Sequence, residues 1–249
     1  MELCKGGDIK LKRLFCFIVL FLIVFVINGD NTVSGLSEKT INTLSRIRED
    51  DPCILHEKNL SSSDGAGIRR IILFEDMCTL DLLMLELAQS VREECVEVLN
   101  SAIENAQLEE TELFSTLYFP IVPLDYPPRF KTFYDEYFDE FINPVLDRYI
   151  SVNSRLIYVV MVDKNGYVPT HNSKYMQPLT GNKTEDLKYN RAKKIFNDVS
   201  GFASAKNRED FLLQSYRRDT GEINADLSLP VYINNRHWGA VRVGYLRGE

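Results

Sequence analysis

Residues Phe211 to Tyr245 read FLLQSYRRDTGEINADLSLPVYINNRHWGAVRVGY. Three runs rich in β-branched, aromatic and aliphatic residues stand out: Phe211 to Tyr216, Leu227 to Ile233 and Gly239 to Tyr245. Between them lie Asp219-Thr220-Gly221 and Asn234-Asn235, residue types that tolerate the left-handed backbone of tight hairpins. A three-stranded antiparallel meander is the reading. Strand alternation puts Gln214, Tyr216 and Arg218 on one face of its first strand and Ser215 and Arg217 on the other.

Working upstream, Leu156 to Val162 is an apolar run closed by Asp163, Lys164, Asn165 and Gly166. The Asn-Gly pair suits a hairpin, with Tyr167 and Val168 beginning the returning strand. Leu187 to Phe196 reads as a helix. Phe133 to Tyr149 has helical spacing interrupted at Pro144, which predicts a helix pair with a turn or kink. Pro120, Pro123, Pro127 and Pro128 make residues 119 to 128 an extended connector.

From Ile68 to Ala106 there is no proline or glycine. Met84, Ala88, Val91, Cys95, Val98, Ala102 and Ile103 recur in mostly three- and four-residue steps, which predicts a long amphipathic helix. Glu86, Arg92, Glu93, Glu97 and Glu104 form its solvated face. Residues 36 to 67 are polar and irregular and read as a linker. The fold class is therefore α+β: a long N-terminal helix, then an antiparallel sheet with flanking helices across residues 68 to 249.

Lys10, Lys12 and Arg13 precede an unbroken apolar run from Leu14 to Ile27. As a helix that run spans about 21 Å, short of the roughly 30 Å of a bilayer core. Residues 1 to 35 thus read as a signal peptide or membrane anchor, and the basic flank directs the remainder across the membrane. The expected location is exported, periplasmic or anchored to the inner membrane.

The chain has 29 basic and 36 acidic residues, a formal charge of −7, and removing residues 1 to 35 leaves it slightly more acidic. No nucleic-acid partner is expected from that balance. Cys53, Cys78 and Cys95 follow the targeting segment. On one straight helix Cys78 and Cys95 would lie about 25 Å apart, too far to bridge. Only Cys53 is left to staple that helix, and burial as small apolar thiols is the favoured reading of these cysteines.

His56, His171 and His237 are the three histidines, and no metal-ligand spacing surrounds them. Cys53 and His56 make a lone Cys-x-x-His in a polar stretch, read as coincidence. No nucleophile elbow, phosphate-binding loop or dinucleotide fingerprint is present. No cofactor, metal or catalytic residue is assigned. The polar residues that gather near strand ends and turns are His171, Asn172, Arg191, Gln214, Tyr216, Arg218, Asp219, His237 and Trp238. Arginine forks beside Tyr and Trp walls suit a small, anionic or amphipathic organic ligand. The structural alternatives are an ion pair of Arg218 with Asp219 or Asp226, and core packing for Trp238.

The ordered strings Val162-Asp163-Lys164-Asn165-Gly166-Tyr167-Val168-Pro169-Thr170-His171-Asn172, Gln177 to Gly181, Asn190 to Asp198, Phe211 to Glu222, Asp226 to Ile233 and Arg236 to Tyr245 carry a resemblance. Across about residues 80 to 247 the chain resembles the Cache/PAS-like sensory region of bacterial methyl-accepting chemotaxis proteins. The resemblance implies a PAS/Cache-like sheet and small-molecule sensing in signal transduction, without catalysis. A membrane receptor, to which the protein presents a small molecule or with which it pairs through its long helix, is the expected partner. A homodimer through the 68–106 helix is a further expectation, and a ligand-free dimerisation module is the alternative. The given sequence has no heptad-patterned cytoplasmic hairpin, so direct kinase control is not expected.

Overall fold

The computed structural model describes residues 35–47, 70–121, 128–217 and 223–247. The targeting segment up to residue 34, Cys53, His56, most of the expected linker, Pro123, Pro127, Arg218 and Asp219 lie outside the described residues, as does the side chain of Tyr216. Val33–Glu249 forms one compact unit.

Strands β1 (Arg70–Ile72), β4 (Leu156–Asp163), β7 (Leu212–Arg217), β8 (Ile223–Ile233) and β9 (Arg236–Leu246) form a five-stranded sheet in the order β1-β7-β8-β9-β4. Every neighbouring pair is antiparallel. The meander expected from Phe211 to Tyr245 is β7-β8-β9, its last two strands longer than the apolar runs alone. Asn234 and Asn235 turn β8 into β9 with φ of 48° and 60°. Both central positions of that two-residue turn need left-handed backbone, which Asn tolerates. Gly239 opposes Asp163, where a Cβ would sit 2.0 Å from the Val162 carbonyl oxygen, so a side chain there would force β9 away from β4.

The long helix α2 (Thr79–Glu104) lies across one face of this sheet. Met84, Leu87, Ala88, Val91, Cys95 and Leu99 are fully buried in one core with Leu213, Leu227, Leu229, Val241, Val243 and Tyr245 of the sheet. Strand period two and helix period three to four bring these two apolar faces together. Burial at this interface stabilises by about 25 cal/mol per Å² of apolar surface removed from water.

The start of α2 is tied to the end of β9. Cys78 is the N-cap, and its N–H donates to Asp81 Oδ2 at 2.9 Å. The same carboxylate accepts from Tyr245 Oη at 2.6 Å and from Arg247 Nη2 at 2.5 Å, all three side chains being buried. Cys78 is disulfide-bonded to a cysteine outside the described residues, whereas Cys95 is a free buried thiol. The apolar-thiol reading thus holds for Cys95 and is corrected for Cys78.

Several further expectations are corrected. Residues 70–72 are not helical: Arg70, Ile71 and Ile72 pair with Ser215, Gln214 and Leu213, and the cap at Cys78 sets the helix start. Within the expected linker, Glu38–Leu44 is a helix, α1, capped by Ser37, with Leu44 fully buried and Thr40 donating to Glu86. The Asn165-Gly166 turn forms, with Gly166 at φ +82°, but Tyr167 does not return along β4. Strand β5 (Tyr167–Val168) pairs instead with β6 (Lys194–Ile195), and β4 remains the edge strand of the large sheet.

The helix expected from Leu187 to Phe196 is α6 (Lys183–Tyr189), started by Asn182, whose Oδ1 accepts the Thr184 N–H at 3.1 Å. It stops at Tyr189, because Asn190 is already extended, with φ −121° and ψ 93°. A short helix α7 (Val199–Lys206), capped by Asp198, was not anticipated. Between α2 and β4, the chain forms α3 (Glu110–Leu113), the β2–β3 pair (Phe119–Pro120 with Phe130–Lys131), α4 (Asp135–Tyr137), a π turn (Phe138–Ile142) and α5 (Asn143–Ile150). Pro144 follows directly on the π turn, at the point where the helical run passes into α5.

The stripe expected to serve a homodimer through residues 68–106 is already buried in the chain's own core: Val91 and Cys95 are fully buried. The exposed face of α2 presents Leu82, Glu86, Glu93, Glu97, Ser101 and Glu104. A symmetric contact across it would oppose like charges.

Candidate functional site

The face of the sheet turned away from α2 has a different character. Val160, Val162 and Ala240 make a small apolar cluster there with Val168 of β5 and Ala205 of α7. Beside it, Gln214, Asp226, Ser228 and Arg242 are buried on adjacent strands. Arg242 grips Asp226 with two donors, Nε to Oδ1 at 3.2 Å and Nη2 to Oδ2 at 2.6 Å. Burial, the largest single influence, would lower the pKa of Arg242, but the Asp226 carboxylate together with Tyr158 and Asp198 holds the guanidinium above its ordinary value. A desolvated charge pair survives only when its geometry and remaining hydrogen bonds are good.

Helix α7 supplies those bonds. Ser204 Oγ donates to Asp226 Oδ2 at 3.0 Å and accepts from Gln214 Nε2 at 2.8 Å. Gln214 also donates to the Ser200 carbonyl at 3.2 Å, and Asn207 Nδ2 to the Ser228 carbonyl at 3.3 Å. Gly201, Ser204 and Ala205 are the buried residues of α7, so the helix lies close over the strands.

A chain of rings and cations runs outward from this pair. The Arg242 guanidinium stands over the Tyr158 ring at 5.9 Å, and Tyr158 meets the His171 ring edge-on at 6.3 Å. His171 meets Tyr175 edge-on at 4.8 Å, and Lys174 Nζ stands over that ring at 5.0 Å. Arg191 lies 5.1 Å from the centre of the Phe196 ring, and its backbone N–H donates to the Tyr175 carbonyl at 2.8 Å. Tyr158 occupies space that only a glycine leaves: a Cβ on Gly244 would be 2.2 Å from its ring.

His171 is buried, and its Nδ1 accepts the Asn172 N–H at 2.8 Å. That bond assigns the ring proton to Nε2. Burial, then the positive charges of Arg191, Lys174 and Arg242, hold its pKa well below the ordinary imidazole range. The ring is therefore a neutral Nε2–H donor. Asn172 is fully buried with both ends of its amide engaged: Oδ1 accepts the Val159 N–H at 2.8 Å and Nδ2 donates to the Leu146 carbonyl at 3.1 Å. It stitches β4, beside an irregularity between Leu156 and Tyr158, to α5.

Of the residues singled out in the sequence, His171, Asn172 and Arg191 come together in this region, and Gln214 lies further along the same sheet face. Tyr216 lies on β7 opposite Asn224. His237 and Trp238 sit elsewhere, at the hairpin end of β9. Trp238 Nε1 donates to the Leu113 carbonyl at 2.9 Å, and its ring stacks on Phe138 at 5.4 Å, which is a core role. His237 lies against Tyr232, and burial followed by the charge of Arg208 lowers its pKa. Asp163 accepts from Tyr118, Tyr134, Asn165 N and Tyr167 N, a turn-closing role.

The sequence reading passed over Tyr158, Lys174, Tyr175, Phe196, Asp226 and Arg242. Asp226 had entered only as a partner for Arg218, and it pairs with Arg242. One signal was available: Arg242 interrupts the apolar run Val241, Val243 at an inward position of a buried strand, which demands a buried counter-charge. Among the described residues no group of three or more His, Cys, Asp or Glu side chains is arranged to hold a metal ion, and no helix is long and apolar enough to cross a membrane.

No family model matches the chain, and no curated protein matches it. One solved structure similar to part of it is an extracellular ligand binding receptor from Desulfohalobium retbaense DSM5692, at 15% identity and a TM-score of 0.28. The alignment covers 64% of this chain and 25% of that one, so the chain spans about a quarter of the receptor's length. A TM-score of that size carries no argument about fold or function.

Proposed function

We propose that the chain is an extracytoplasmic small-molecule sensing or ligand-binding protein, acting in signal transduction without catalysis. The observation that carries the reading is the contrast on the second sheet face: a buried Arg242–Asp226 pair leads through Tyr158, His171 and Tyr175 to Lys174, beside Arg191. An interior that only had to fold would gain as much from apolar residues there. Directional donors beside aromatic walls are the furniture of a small-molecule site. The resemblance to chemotaxis sensory regions supports a signalling role, with a membrane receptor as the downstream partner. The Cys78 disulfide supports export, because such bonds persist in oxidising compartments.

A thermal-shift screen of the purified chain against metabolite classes tests this reading. Saturable stabilisation, weakened in Tyr158→Ala and Arg191→Ala, is expected. No shift with any class, in a protein shown to be folded, would contradict it.

A further inference from the structure

The binding reading leaves the chemical class of the ligand open, and the charges around His171 bear on it; the inference here rests on that reading. Three cations are gathered around the rings that contact His171: Arg242 of β9 over Tyr158, Lys174 over Tyr175, and Arg191, whose backbone N–H bonds the Tyr175 carbonyl; all three add positive charge at the imidazole. The rings of Tyr158 from β4 and Tyr175 complete its surroundings. Two of the cations are compensated. Arg242 holds Asp226 and also feels Asp198, and Lys174 feels Asp147, whose carboxylate accepts the Ser173 N–H at 2.9 Å.

Arg191 is different. Its guanidinium donates through Nη1 to the Leu187 carbonyl at 3.3 Å and packs on Phe196. Among the described residues no carboxylate lies within ion-pair distance of it. It is only partly buried, so the remaining edge of its planar fork is not sealed in the core. One bond to a carbonyl leaves most of its five N–H donors for a partner. The neighbours offer donors too: the ammonium of Lys174 and the Nε2–H of His171. Such a donor-only set matches an acceptor-only group.

We propose that Arg191 anchors the carboxylate of an organic-acid ligand, with the less polar part of that ligand against Phe196 and Tyr175. Loss of a charge-assisted contact of this kind weakens binding by roughly 10- to 100-fold.

The test is calorimetric titration of the full chain with acetate through hexanoate, benzoate and phenylacetate, each paired with its primary amide. The acids are expected to bind, and each amide to bind at least about 10-fold more weakly than its acid. Arg191→Gln should abolish that preference, and Arg191→Lys should restore part of it. The acid–amide comparison in the unaltered protein needs no variant, so misfolding of a substituted chain would not shelter the proposal. An amide binding as tightly as its acid would overturn the anion assignment while leaving small-molecule binding intact. The same holds if Arg191→Gln keeps the acid preference, or if neutral metabolites bind in the thermal-shift screen and no acid does. Silence from acids, amides and the whole screen would overturn both.

Discussion

The two faces of one sheet have been built by different chemistry. Toward α2, Leu227, Leu229, Val241 and Val243 meet Met84, Leu87, Val91 and Leu99 in one apolar core, with the buried Asp81–Arg247 pair confined to the start of the helix. Toward α7, the same strands present Gln214, Asp226, Ser228 and Arg242, held by a hydrogen-bonded network. Strand alternation makes this possible, since neighbouring residues such as Leu227 and Ser228 face opposite ways. The first face explains why the domain holds together. The second carries groups whose burial is costly, and such groups mark sites of recognition more often than they add stability.

Substitutions can break this contrast or sharpen it. The largest effect is expected from Asp226→Ala, which strands the Arg242 charge: a loss of about 3–5 kcal/mol in denaturant unfolding. The paired replacement Asp226→Leu with Arg242→Met should instead unfold within about 1 kcal/mol of the parent or be more stable, while ligand response is lost. If the pair of apolar residues is as damaging as the single change, the polar face is a structural necessity and the contrast fails. On the α2 face, Leu99→Ala should cost about 2–5 kcal/mol by leaving a cavity, with ligand affinity unchanged.

A smaller effect is expected from Gly244→Ala, because the new methyl group displaces the Tyr158 ring. Overpacking of this kind costs about 1–3 kcal/mol, and here it should weaken binding as well, measurable in one thermal-shift series. The most gradual effect is in pH. His171 is held neutral with a depressed pKa, so the unfolded chain takes up a proton below about pH 6.5 that the native chain refuses. The His171 contribution to stability is complete above that pH and declines as pH falls below it, by up to about 1.4 kcal/mol per pH unit. Protonation at Nδ1 would also remove the acceptor for the Asn172 N–H. Comparing unfolding of the parent and His171→Gln from pH 7.5 to 4.5 isolates this contribution, since Asp135 and Asp163, whose pKa values burial raises, titrate in both.

The α2 face was legible in the sequence because it is periodic: Met84, Ala88, Val91 and Cys95 announce a helix stripe, and the runs between Phe211 and Tyr245 announce the strands under it. The start of α2 was less legible, since Ile71 and Ile72 extend the apolar pattern of a helix but are used by β7 as an edge strand. The second face was legible only in part. His171, Asn172 and Arg191 were found as polar residues near turns, whereas Arg242 sits inside a run that reads as plain strand, and Asp226, just before the run Leu227 to Ile233, entered only as a partner for Arg218. Their pairing depends on the β8–β9 register, which sets Ser228 opposite Arg242 and Asp226 opposite Gly244, and register is a property of the folded sheet. Trp238 carries the opposite lesson, for a tryptophan beside polar neighbours in sequence is buried on Phe138 in space.

The central claim is that ligand recognition belongs to the sheet face away from α2. Backbone amide NMR of the isotope-labelled chain, titrated with the strongest hit of the metabolite screen, tests it most directly. Shift changes concentrated at Tyr158, His171, Tyr175, Arg191 and Phe196, with the α2 amides from Met84 to Leu99 nearly unmoved, are the result this account predicts. Changes centred on the exposed acidic face of α2, or around Trp238 and His237, would contradict it.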